Sequence, residues 1–74
     1  MLGWPRRLFL IISECNGEAL DIRGAHAGPG AEVITFRRKM ERSANQLWWC
    51  DPSGVIRSAL NDFALEARRR RSVQ

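Results

Sequence analysis

Asn45-Gln46-Leu47-Trp48-Trp49-Cys50-Asp51-Pro52-Ser53-Gly54-Val55-Ile56-Arg57-Ser58 decides how this chain is read. Side chains alternate along β structure, so Gln46, Trp48 and Cys50 are expected on one face of a strand over 46–51 and Leu47 and Trp49 on the other. Asp51-Pro52-Ser53-Gly54 then has the chemistry of a tight turn. Asp bonds the backbone ahead of it, Pro presets φ, and Gly accepts positive φ. Val55–Ser58 returns as a second strand, which makes a hairpin.

Working outward, the same grammar recurs. Leu8–Ser13 is a short apolar run, and Asn16-Gly17 after it is a hairpin signal. Glu18–Arg23 alternates, with Leu20 and Ile22 opposite Asp21 and Arg23. Gly24–Gly30 is a loop holding three glycines and Pro29. Glu32–Arg37 places Val33, Thr35 and Arg37 on one face and Ile34 and Phe36 on the other. Arg38–Ala44 is polar, with room for one helical turn. Asn61-Asp62 forms another turn before Phe63–Ala67. Six short antiparallel strands and no long helix describe an all-β chain.

Sliding the chain by 45 residues reveals a repeat. Ile11 meets Ile56, Ser13 meets Ser58, Asn16 meets Asn61, Ala19 meets Ala64 and Leu20 meets Leu65. Roughly one identity is expected by chance in such a window. One repeat holds four strands, so the chain contains one repeat and the first half of another. Units of this kind bury their apolar faces only by stacking. A propeller of this period lacks its Gly-His start here, which leaves an incomplete three-lobed β-trefoil.

Composition limits the function. The 74 residues make one domain, expected over 6–67 and followed by a basic tail over 68–74. The net charge of +4 equals the contribution of Arg68, Arg69, Arg70 and Arg71 alone, so the body is near neutral. Nucleic-acid binding through that run is a third reading, set behind a disordered charged end. Leu8–Ile12 is too short for a signal-peptide core or a membrane span. Cys15 and Cys50 have no metal-binding spacing and read as buried free thiols, a disulfide being the alternative. His26 is the only histidine, so no metal site is expected. No nucleophile–base pairing and no phosphate loop is visible. Neither an enzyme nor a cofactor is expected.

Gln46-Leu47-Trp48 resembles the Gln-any-Trp signature of ricin-type lectin domains. Asn16–Ile22 is similar to that family's first hairpin, and Gly54–Ser58 to its entry into the next lobe. The similarity covers roughly 8–67. It implies a β-trefoil that binds galactose-like or N-acetylgalactosamine-like glycans without catalysis. It also implies site roles: Asp21 accepting from sugar hydroxyls, Phe36 stacking on the pyranose, Asn45 bonding hydroxyls, and Gln46 orienting Asp21 and Asn45. Each has a plainer reading: Asp21 as a loop cap, Phe36 as core, Asn45 bonding its own loop. Trp48 reads as core, and Trp49 as either exposed or packed.

Departures from the family pattern support a second hypothesis. Ile34 stands where sugar-binding lobes often carry a hydrogen-bonding residue. Ala19 and Arg38 stand where many secreted members place a disulfide, so the chain leans towards an intracellular location. The alternative function is a protein-interaction or structural β-trefoil piece with a decayed sugar site. The missing later strands imply a fragment or short form of a longer lectin. Leu20, Val33, Trp48 and Ile56 would then be partly uncovered, and self-association is expected.

Overall fold

The computed structural model describes residues 6–41 and 43–66. The arginine run, and with it the nucleic-acid reading, lies outside the described residues. Among the described residues, four short strands form two antiparallel pairs. β1 (Ala19–Ile22) pairs with β2 (Val33–Phe36), and β3 (Trp48–Cys50) with β4 (Ile56–Ser58). A single 3-10 turn follows β1 at Arg23–Ala25, and another precedes β3 at Ala44–Gln46. The chain is therefore all-β, as expected. None of its described helical segments is long and apolar enough to cross a membrane.

The first and last of the six expected strands are reduced to isolated bridges. Phe9 bridges Trp48, Ile12 bridges Ala19, and Ala64 bridges Arg57. The strand expected over 46–51 is also shorter than read, since β3 covers only Trp48–Cys50. Asn45 and Gln46 belong to the 3-10 turn, so Gln46 does not share a strand face with Trp48. The turn redirects both amides towards β1.

The hairpin joining β3 to β4 is built by Asp51. Its Oδ1 accepts from Ser53 N, Ser53 Oγ and Val55 N at 2.9, 2.6 and 3.0 Å, while Arg57 Nε donates to Oδ2 at 2.8 Å. Gly54 closes the turn at φ 92°, a conformation that favours glycine. The Ser53 hydroxyl, the Arg57 guanidinium and the Val55 amide hold the Asp51 carboxyl well below the usual carboxylate range. A carboxyl depressed by folding stabilises the fold above its ordinary range, near pH 4, and loses that contribution as the pH falls further.

The 45-residue repeat survives bond by bond. Ser13 N donates to Glu18 O at 2.8 Å, and Ser58 N to Phe63 O at 3.0 Å. Gly17 N donates to Ser13 O at 2.9 Å, and Asp62 N to Ser58 O at 2.8 Å. Leu20 N donates to Ile11 O, and Leu65 N to Ile56 O, both at 2.8 Å. The side chains repeat too. Asn16 and Asn61 accept from the backbone N of Glu18 and Phe63, and Ser13 and Ser58 from that of Cys15 and Leu60. The turn requires a left-handed residue, supplied by Gly17 at φ 73° and by Asp62 at φ 62°. Aspartate is one of the few side chains that tolerate that region. The repeat is thus a reused turn mechanism as well as a sequence pattern.

Trp48 sits at the centre of the molecule, 1% exposed. Its backbone exchanges both bonds with Phe9, and its Nε1 donates to Leu20 O at 3.2 Å. Trp49, on the other face, is also buried. Its Nε1 donates to Asp62 Oδ1, and the Arg6 guanidinium lies 4.2 Å from its ring centroid. Both cysteines are exposed and neither is in a disulfide, which corrects the expectation of buried thiols. Cys15 lies in the first turn and Cys50 at the end of β3, so neither reaches the interior. Val33 is 38% exposed and Leu20 and Ile56 are half-buried, as expected of an incompletely covered face, but Trp48 is fully buried, which corrects the expectation that it would be partly uncovered.

The two repeated turns can be compared directly. Asn16→Ala and Asn61→Ala each delete a bond to a backbone N–H and are expected to cost about 1 kcal/mol. Each amide also donates, Asn16 to the neighbouring Glu18 Oε1 at 3.1 Å and Asn61 to the distant Ala27 O at 2.9 Å; only the second ties its turn to another loop, so its loss should be the greater. Urea unfolding measures both, and a neutral Asn61→Ala would show that the second turn is not held as the first is.

Candidate functional site

Of the eight buried residues among those described, four are polar: Asp21, Asn45, Gln46 and Ser58. Buried polar groups are tolerated only when hydrogen-bonded. No buried side-chain nitrogen or oxygen in the described residues lacks a partner. Three of these side chains form one network beneath the β1–β2 pair.

Asp21 is its acceptor. β1 points Ala19 and Asp21 to one face, and the register sets Phe36 opposite Ala19 and Ile34 opposite Asp21. Asn45 Nδ2 donates to Asp21 Oδ1 at 3.1 Å, and Gln46 Nε2 to Asp21 Oδ2 at 2.9 Å. The 3-10 turn makes this convergence possible, because neighbouring residues on a strand would point to opposite faces.

Each amide also reaches a backbone carbonyl. Asn45 Nδ2 donates to Ile22 O, and Gln46 Nε2 to Arg37 O, both at 3.0 Å. Gln46 Oε1 accepts from Lys39 N at 3.0 Å. One glutamine therefore joins β1, the end of β2 and the loop beyond it. Asn45 Oδ1 accepts from the Ser43 hydroxyl and from Lys39 Nζ, the latter at 3.2 Å. Carboxylate acceptors orient both amides with nitrogen inward.

The expected site residues fall into two groups. Asp21, Asn45 and Gln46 are brought together, and Gln46 orients Asp21 and the Arg37 carbonyl rather than Asn45. Asn45 bonds β1 rather than its own loop backbone. Phe36 lies outside the network and is 40% exposed, so it is not a core residue. Lys39 was not singled out in the sequence. Its ammonium stands 3.2 Å from Asn45 Oδ1, 3.9 Å from Asp21 Oδ2 and 5.8 Å from the Phe36 centroid. The Lys39 side chain is 36% exposed and that of Asp21 only 4%, so Lys39 is the solvent-facing member of the cluster. The available signal was a run of three cations, Arg37-Arg38-Lys39, immediately after β2.

The network predicts an asymmetric mutational response. Gln46→Ala leaves the Asp21 carboxylate short of a donor and frees the Arg37 carbonyl. A loss of about 3 kcal/mol is expected. Gln46→Glu should be at least as costly, since it sets two carboxylates against each other. Thermal and urea unfolding report both, and a near-neutral Gln46→Ala would mean that the amide is not what holds Asp21.

No family model matches the chain. Its structure is similar to the C-half of an earthworm R-type lectin solved in complex with GalNAc, with a TM-score of 0.80 and 48% identity over 88% of this chain and 50% of that one. It is also similar to an earthworm lectin C-terminal domain mutant solved in complex with 6'-sialyllactose, with a TM-score of 0.77 and 45% identity over the same shares. Mucoricin of Rhizopus delemar is 40% identical over 42 residues, 57% of this chain and 29% of that protein. The chain thus spans half the length of the solved relatives. The repeated turns, the buried Gln46 and Trp48 of the Gln-any-Trp signature, and these similarities identify the chain as a partial R-type β-trefoil lectin domain.

Proposed function

We propose that the chain binds carbohydrate without catalysis, through Asp21, Phe36, Asn45 and Gln46 on its first lobe, and takes galactose-like or N-acetylgalactosamine-like glycans. One observation carries the reading: a half-exposed aromatic ring stands on the same β-face as a carboxylate held in place by two amides. A pyranose has an apolar face suited to a ring and hydroxyls suited to a carboxylate. An ionised carboxylate offers about four lone-pair sites, and the two amides use two of them. The remaining sites lie behind Lys39, whose flexible side chain must share Asn45 Oδ1 with an arriving hydroxyl or yield to it. The crystallised lectin neighbours carry sugars, which agrees with this reading.

Glycan-array or titration binding tests it. Phe36→Ala removes an exposed ring, so the fold should persist while sugar affinity falls about tenfold or more, the order of a lost aromatic contact. Asp21→Asn should abolish binding as well. Unchanged binding by a folded Phe36→Ala protein would reject Phe36 as the platform.

A protein-interaction or structural role with a decayed sugar site is favoured by Ile34, an apolar residue paired opposite Asp21. A cleft of about 690 Å³ supports self-association. Ile22, Val33, Trp48, Phe63 and Leu65 supply the apolar part of its lining, beside polar residues such as Glu32 and Asn61. Association would cover the exposed Val33 and Phe63 and the half-buried Leu65. Sedimentation velocity is expected to show a coefficient that rises with concentration. A monomer at high concentration with a cooperative, high-temperature melt would count against it.

A further inference from the structure

A groove of about 530 Å³ begins where the Phe36 strand ends, lined by Arg37, Arg38, Lys39, Met40, Glu41 and Ser43. It adjoins the polar network, because the Ser43 hydroxyl donates to Asn45 Oδ1. Its charge is unbalanced. The Arg37 guanidinium lies 5.7 Å and the Lys39 ammonium 5.8 Å from the Phe36 centroid. Lys39 is partly offset by Asp21, but among the described residues neither Arg37 nor Arg38 forms an ion pair with a carboxylate. Glu18, the acid that precedes Ala19 on β1, is engaged by Asn16. Among the described residues, Glu41 is the one acid lining the groove.

We propose that this groove extends the sugar site and takes a negatively charged substituent, a sulfate ester or a carboxylate, on the glycan that Phe36 and Asp21 engage. The inference rests on the carbohydrate-binding reading and adds the chemical class of the ligand. Guanidinium groups match planar and tetrahedral oxyanions through paired N–H donors. Arg37 and Arg38 are exposed, so they hold that capacity available instead of spending it within the fold. The Gln46 amide uses the Arg37 carbonyl, so the backbone beneath the guanidinium is fixed while the guanidinium, beside the Phe36 ring, forms no ion pair among the described residues. An anion there would sit beside the ring, close enough to reach a substituent of a stacked pyranose.

Titration of the full chain with N-acetylgalactosamine, its sulfated form, lactose and sialyllactose tests the proposal, each at low and high salt. At least one anionic sugar is expected to bind about fivefold tighter than its neutral parent at low salt, the scale of one or two exposed ion pairs. The sulfated and sialylated arms separate the two oxyanions. That ratio should fall towards one at high salt, because exposed pairs are screened. It should fall likewise in an Arg37→Gln/Arg38→Gln variant with an unchanged melting curve. If neutral and anionic sugars bind equally, or the preference survives in the variant, the inference is overturned and the carbohydrate-binding reading stands. If no sugar binds, both fall together.

Discussion

A carboxylate buried between two side-chain amides organises this small protein. Asp21 is 3% exposed, which without partners would carry a desolvation cost of several kcal/mol. Asn45 and Gln46 offset that cost, and the geometry they require fixes much else. The 3-10 turn at Ala44–Gln46 exists at the one place where consecutive residues must reach the same strand. Gln46 then holds the loop after β2 through Arg37 O and Lys39 N, so strand pair, loop and turn are locked by one side chain. With so few apolar residues buried, this network does work that a larger domain would leave to its core.

The same network sets the limits of the candidate site. Because Asp21 is committed to the fold, its acceptor capacity is directional and partly occupied. The exposed elements, Phe36 and the cations beyond it, are the ones free to vary without loss of the scaffold. A chain of this kind can lose its ligand while keeping its structure, which is why Ile34 opposite Asp21 weighs against sugar binding without disturbing the fold.

The two halves also differ in what they complete. The turn after Ser13 and the turn after Ser58 are the same hydrogen-bonded device, with Gly17 and Asp62 at the left-handed position. The first leads into β1 and the Asp21 network. The second leads to Ala64, which makes a single bridge and leaves Phe63 47% exposed beside an open cleft. Identical local chemistry thus gives a covered strand where β2 and the Asn-Gln turn pack on it, and an uncovered segment where the described residues provide no equivalent.

What could be read from the sequence alone was whatever depends on neighbours in the chain. Asp51–Gly54, Asn16-Gly17 and Asn61-Asp62 are turns because their side chains bond their own backbone within a few residues. The 45-residue repeat was visible because those turns must be respecified each time. The Gln-any-Trp signature placed Trp48 in the interior and Gln46 beside Asp21. Strand lengths were not legible, because a strand ends where its partner ends, and Phe9, Ile12 and Ala64 have partners for only one bridge each. The exposure of Cys15 and Cys50 followed from where the turn and the sheet edge fell. Lys39 could be assigned no role, since only the return of the chain through the Ala44–Gln46 turn brings Asn45, Asp21 and Phe36 around its ammonium. Burial and convergence depend on groups far apart in sequence, so the tertiary structure alone decided them.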